Sequence, residues 1–298
     1  MTTKWMTLGL GAAIAVLAFG CSSDDTEDVV GTGGSVGIGG TGGSTGGSGG
    51  SGGSGSGGRT SFQPVPVAYW AMESFSGDDV LDQVGTIDGT VNGGVTLKAG
   101  QVGQAIELDG ETGYVDFGDS LDDVWSGEGA EFSVAFWVNV TEARTIQIFG
   151  KSAPEACAPG NYGMAVRLRS SGATEIFVED KEHENLLSYS GGSIADLTWT
   201  HVAWTYDGTL PDAERLKLYI DGDQVSIEDT GSFGSQPIID DVDSHLGIGV
   251  KLQPDGQPCI GDNFYAGRID ELGVWDSVLS ASDVDRLHQL GASAEPIL

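Results

Sequence analysis

Apolar and polar residues alternate in short runs along the chain beyond Gln63-Pro64, and each run is closed by Gly, Asp or Asn. From Phe132 to Val140 every second residue is apolar: Phe132, Val134, Phe136, Val138 and Val140. That period turns one face of an extended strand into a core and leaves the other to solvent. Similar runs are Val67 to Glu73, Ala105 to Leu108, Tyr114 to Phe117, Ala165 to Leu168, Thr174 to Val178, Trp199 to Tyr206, Leu216 to Ile220, His245 to Val250 and Phe264 to Trp275. Asp88-Gly89, Asn92-Gly93, Asp109-Gly110, Asp207-Gly208 and Asp221-Gly222 supply the positive-φ positions that tight turns need. The pattern predicts two packed antiparallel sheets with jelly-roll connections. One helix is predicted, from about Ala281 to Leu290, capped by Ser280 with Asp283 three residues on and with Leu279 and Val284 at hydrophobic-staple spacing.

The first sixty residues follow other rules. Lys4 precedes an apolar run from Trp5 to Phe19 that ends at Gly20-Cys21, the anatomy of an export signal and too short for a spanning helix. Leu17-Ala18-Phe19-Gly20-Cys21 resembles a bacterial lipobox, with leucine one place early, so residues 1–20 are expected to be a signal peptide and Cys21 the lipidated residue. Ser22 permits onward sorting to an outer membrane. From Gly31 to Gly58, 17 of 28 residues are glycine and most others are Ser or Thr. Nothing there offsets the entropy of ordering, so residues 21–62 are expected to be a disordered tether with a reach of roughly 30 Å. The globular domain is placed at 63–298.

Charge removes one class of partner. The 13 Lys+Arg against 44 Asp+Glu give a formal charge of -31 spread along the chain, a field that repels nucleic acid. With Cys21 acylated, Cys157 and Cys259 remain, each in a loop rich in Pro and Gly. In an exported chain they are expected to pair, a closure worth about 4 kcal/mol in the chain-entropy model.

Several runs carry a family resemblance: Tyr69-Trp70-Ala71-Met72-Glu73, Gly103 to Gly110 leading through Gly113-Tyr114-Val115, Phe132 to Val138, Trp199 to Gly208, Leu216 to Gly222, and Phe264 to Leu272. In order and spacing the chain resembles the laminin-G-like, concanavalin-A-like jelly-roll superfamily as found in bacterial surface proteins. The resemblance implies an all-β sandwich with one short C-terminal helix. It also implies a structural calcium where the first strand meets the last, at Glu73 and Asp270, with backbone carbonyls completing the oxygen shell.

The same scaffold serves sugar binders, adhesion modules and enzymes. Glu107-Leu108-Asp109-Gly110-Glu111 resembles the catalytic strand of jelly-roll β-glucanases, where three carboxylates share a groove. Here Asp109 to Gly113 reads as a turn, which does not keep Glu111 on the face of Glu107. His183, His201, His245 and His288 share no metal-ligand spacing, and neither a Gly-x-Ser-x-Gly elbow nor a His-Glu-x-x-His helix occurs. Trp125, Tyr162, Tyr189 and Phe233 lie in or beside predicted loops, where rings could stack on a sugar, whereas Trp137 and Trp204 read as core. The sequence points to a non-enzymatic, lipid-anchored surface module that binds a glycan or an extracellular protein and touches the membrane only through its anchor. The other readings are a glycoside hydrolase using Glu107, Asp109 and Glu111, and a purely structural envelope lipoprotein.

Overall fold

The computed structural model describes residues 62–151, 163–179, 186–194, 196–229, 238–239, 243–259 and 263–298. The chain divides into two compact units, residues 1–56 and 57–298, and every described residue lies in the second. The expected tether up to residue 61, the export signal, Cys21, Cys157, Tyr162, His183 and Phe233 fall outside the described residues.

The second unit is mostly β, built around two antiparallel sheets. The eight-stranded sheet runs, edge to edge, Asp223–Val225, Leu216–Ile220, Trp199–Asp207, Glu131–Val140, Ala266–Trp275, Gln104–Asp109 and Val95–Ala99, with Ala68–Trp70 paired to the far end of Ala266–Trp275. The ten-stranded sheet runs Ile227–Asp229, Leu186–Gly191, Thr174–Glu179, Met164–Leu168, Ile146–Lys151, Leu246–Ile248, Tyr114–Asp116, Gly89–Asn92, Asp79–Val80 and Phe75–Ser76. Gly127–Glu128 pairs with Ile238–Ile239 in a small third sheet. Each run of alternating residues expected from the sequence became a strand, within a few residues at its ends.

The core lies between the two large sheets. The apolar series Phe132, Val134, Phe136, Val138 and Val140 faces Ile148, Phe149, Val166, Ile176 and Ile248 from the opposite layer. Trp70 packs on Phe117 at 4.3 Å and Phe132 stacks on Tyr206 at 5.1 Å.

The expectation of half-solvated strands fails in the eight-stranded sheet. Ser133, Ala135 and Trp137 are buried as well, because the helix Ala281–Ala292 covers that sheet's outer face. Val284 and Leu287 of the helix, with Leu279 before it, pack on Tyr69, Ala135, Ala203, Tyr219 and Trp275. The start of the helix is as read: Ser280 accepts from the Asp283 N–H and Asp283 accepts from the Ser280 N–H, a complete capping box. The helix runs two residues past its expected end. Gly291 in its last turn permits the contact, since a β-carbon there would fall 2.1 Å from Trp137 Nε1. Phe62, assigned by sequence to the tether, is buried in the same layer.

Candidate functional site

The first candidate site forms where Ala68–Trp70 meets Ala266–Trp275. Pairing along Ala266–Trp275 shifts between Asp270 and Gly273, and Glu271 adopts φ +51. This bulge buries two consecutive carboxylates. Asp270 Oδ2 accepts from the Val102 N–H at 2.9 Å, and Glu73 Oε2 accepts from the Gln104 N–H at 3.1 Å. Glu73 and Asp270 thus hold one loop from two directions. Gly103 in that loop has φ +48, and a β-carbon there would fall 2.2 Å from Glu73 Oε1. Glu271 Oε2 accepts from the Tyr69 hydroxyl at 2.6 Å and from the Ile297 N–H at 3.1 Å.

Burial pushes the Asp270 carboxyl up to about 8; the Val102 and Gln101 N–H groups oppose the rise, while the charges of Glu271 and Glu73 add to it. Burial likewise pushes Glu271 up to about 7, against the pull of Tyr69 and Ile297. Asp270 Oδ1 and Glu271 Oε1 are buried without a hydrogen-bond partner. Among the described residues no three His, Cys, Asp or Glu side chains form a ready ligand set. The donors here are oxygens only, the kind that a hard cation takes. Family resemblance implies Glu73 and Asp270, whereas nothing in strict alternation announces the bulge that brings in Glu271.

The glycosidase-like carboxylates are otherwise engaged. Asp109 Oδ1 accepts from the N–H groups of Glu111, Thr112 and Gly113 at 2.8 to 2.9 Å, and its Oδ2 from the Thr112 hydroxyl. Partial desolvation raises the Asp109 carboxyl, but these hydrogen bonds outweigh it and hold it at about 2. Glu107 binds Arg268 Nε at 2.8 Å, with Lys98 at 3.9 Å. Glu111 lies in the turn beyond the strand that ends at Asp109.

The second candidate site lies on the outer face of the ten-stranded sheet. Gln147, Arg167, Glu175 and Ser190 are direct cross-strand neighbours on four adjacent strands, alternating with core residues such as Val166 and Ile176. Arg167 and Arg169 both pair with Glu175, and the Arg167 guanidinium lies 5.0 Å from the Phe177 ring centroid. Gln147 donates to the Gly150 carbonyl at 3.1 Å, while its Oε1 has no hydrogen-bond partner. Farther along this sheet His245 Nδ1 contacts both oxygens of Asp116, at 2.8 and 3.0 Å. No sequence motif marked this row, because cross-strand neighbours are scattered along the chain.

The remaining candidates separate. Trp125, expected in a loop, sits in the short helix Asp122–Trp125, buried against Phe132 and Phe149, and presents no ring to a ligand. Tyr189 belongs to the strand Leu186–Gly191. Trp204 is core, as read, and Trp137 is buried on the opposite face. Cys259 is buried, and its expected partner Cys157 lies outside the described residues. His201 packs between strand and helix, 5.3 Å from the Trp137 ring and 5.9 Å from His288. Burial, then the nearby His288, pulls the His201 imidazole down to about 3.

Comparison with known proteins bears on the fold. No curated protein matches the chain by sequence. Among solved structures, the binding domain of botulinum neurotoxin serotype G is 15% identical with a TM-score of 0.56, over 76% of this chain and 51% of that one. The binding domain of botulinum neurotoxin DC, solved with rat synaptotagmin II, is 14% identical with a TM-score of 0.55 over the same shares. Trypanosoma rangeli sialidase in complex with sialic acid is 13% identical with a TM-score of 0.52, over 76% of this chain and 33% of that one. The chain thus spans about half the length of the toxin domains and a third of the sialidase. A family model for the concanavalin A-like lectin/glucanases superfamily matches residues 109–285, more than half of the chain. The chain belongs to the concanavalin A-like lectin/glucanases superfamily.

Proposed function

We propose that this domain is a recognition module, held at the cell surface by a lipid on Cys21, that binds a glycan and performs no chemistry on it. The observation that carries the reading is the Gln147–Arg167–Glu175 row on the outside of the ten-stranded sheet. Each sugar hydroxyl both donates and accepts, and the Arg167 guanidinium, 19% exposed, supplies donors at the accessible part of this row, while the buried Gln147 and Glu175 support it from beneath. Structures of similar fold include one solved with a sugar and one solved with a protein receptor, which supports a binding role. Asp109 and Glu107 are tied into a turn and an ion pair, which weighs against a hydrolase built on them. Calcium at Glu73 and Asp270 fixes the loop 100–104 and neutralises the buried Asp270 carboxylate, a structural task away from the sugar.

The test is retention of the soluble domain, residues 59–298, on a panel of polysaccharides with and without calcium, with released reducing ends scored in the same wells. Retention by the wild type that drops at least tenfold in Arg167→Ala, with an unchanged circular dichroism spectrum, supports the reading. Reducing ends released by the wild type and lost in Glu107→Gln replace it with the hydrolase. Metabolic labelling with palmitate, lost in Cys21→Ser, checks the anchor.

A further inference from the structure

The eight-stranded sheet has an incomplete edge. Asp223–Val225 pairs with Leu216–Ile220 only from Ile220↔Asp223 to Leu218↔Val225. Beyond Val225 the chain turns at Ser226, and Ile227 joins the other sheet opposite Gly191. Leu216 and Lys217 therefore run past the end of their neighbour. The direction of their backbone groups follows from Asp221 at the end of the same strand, whose N–H donates to the His201 carbonyl at 2.9 Å, toward Trp199–Asp207. Successive residues of a strand point their N–H and C=O to opposite sides, so residues 221, 219 and 217 address the inner neighbour and residues 220, 218 and 216 address the edge. The N–H and C=O of Leu216 thus face the position that a continued edge strand would fill.

That position is a cleft of about 290 Å³. Apolar Leu210, Ala213, Val225 and Ile227 line it together with polar Gln224 and Ser226. Glu214 and Lys217 also line it, and neither makes an ion pair among the described residues. A donor–acceptor pair at ladder geometry, an apolar seat and two separated opposite charges together match an extended polypeptide.

We propose that this edge takes a short extended segment of a partner protein by strand addition at Leu216, with an aliphatic side chain in the cleft and a basic and an acidic residue facing Glu214 and Lys217. The site lies on the other sheet from the glycan row and does not depend on it. Exposed edges with free backbone groups are ordinarily blunted by charge, bulges or cover. Among the described residues the edge is left open for a residue or two, which suits a short guest and resists indiscriminate pairing.

The test has two arms on the full chain. Amide hydrogen exchange by NMR is expected to show the Leu216 N–H exchanging at least tenfold faster than Leu218, which pairs with Val225. The second arm is an array of N-acetylated, C-amidated hexapeptides with a central Val, Ile or Leu flanked by Lys and Asp in either order. The expected result is binding of one charge order, protection of Leu216 on addition of that peptide, and at least tenfold loss of binding in Ala213→Trp, which fills the cleft from an exposed helix position. Lys217→Glu is expected to shift preference away from the acidic flank. A Leu216 amide as protected as Leu218 in the free chain, no array member bound at millimolar concentration, or undiminished binding by a folded Ala213→Trp would overturn the proposal.

Discussion

The two large sheets share one core but differ on their outer faces. Behind the eight-stranded sheet lie Tyr69, Ala135, Ala203, Tyr219 and Trp275, sealed by the helix Ala281–Ala292. Behind the ten-stranded sheet lie Gln147, Arg167 and Glu175, a row of hydrogen-bonding and charged groups. Sealing the first face adds a second apolar layer, so its residues contribute mainly to stability. Keeping polar groups on the second costs desolvation that hydrogen bonds only partly offset, as the orphaned Gln147 Oε1 shows.

Substitutions on the two faces should therefore differ in kind. The largest effect is expected from Trp137→Ala, which empties the space under Gly291 and the two histidines. It should cost about 4 kcal/mol in urea unfolding, without preventing an intact remainder from binding glycan. If Trp137→Ala cost as little as a surface change, the helix would not be a structural layer. A second test uses acid. The His201 imidazole has its pKa lowered by folding, so the unfolded chain binds more protons as pH falls below about 6.5, and this stability is lost toward the folded value of about 3. Between pH 7 and pH 5 the loss should be about 2 kcal/mol by this linkage, and His201→Phe should flatten it.

The carboxylates beneath the same layer act in the opposite sense. Asp270 and Glu271 are raised by folding, so in chelator their contribution is largest near pH 4 and declines as pH rises toward about 8. Calcium is expected to restore stability at pH 8, and Asp270→Asn to remove the response; a wild-type melting temperature indifferent to calcium would discard this site. A smaller effect is expected from Ser280→Ala, which removes the capping box and should cost about 1 kcal/mol. The smallest should be Arg167→Ala: about 1 kcal/mol or less in stability, since Arg169 still pairs with Glu175, with the change appearing in glycan retention.

Much of the fold was legible because burial on one face leaves a period of two, as in Phe132 to Val140, and because Asn92-Gly93, Asp109-Gly110 and Asp221-Gly222 close runs with a positive-φ glycine, whereas Gly89 opens a strand and neither it nor Gly208 has a positive φ. The second layer was not legible. Ser133 and Ala135 look like solvent-side residues until the helix is placed over them. Ile146–Lys151 escaped notice because it is buried throughout, so Gln147, Gly150 and Lys151 break the expected alternation. Lys151 is tolerated there because Asp119 and Asp122 pair with its ammonium. At the first candidate site, Glu73 and Asp270 came from family resemblance, while Glu271 depends on a backbone φ of +51 that no residue type announces. The outer-face row depends on register, which emerges only when four strands are aligned.

The Phe62 N–H donates to the Ile297 carbonyl at 3.3 Å, so the domain's first packed residue is fastened beside its last ones. Trp275 Nε1 donates to the Pro64 carbonyl at 2.9 Å, and Arg286 lies over the Phe62 ring. A pull applied at Phe62 is therefore shared at once between the helix, through Arg286, and the end of the strand Ala266–Trp275, through Trp275.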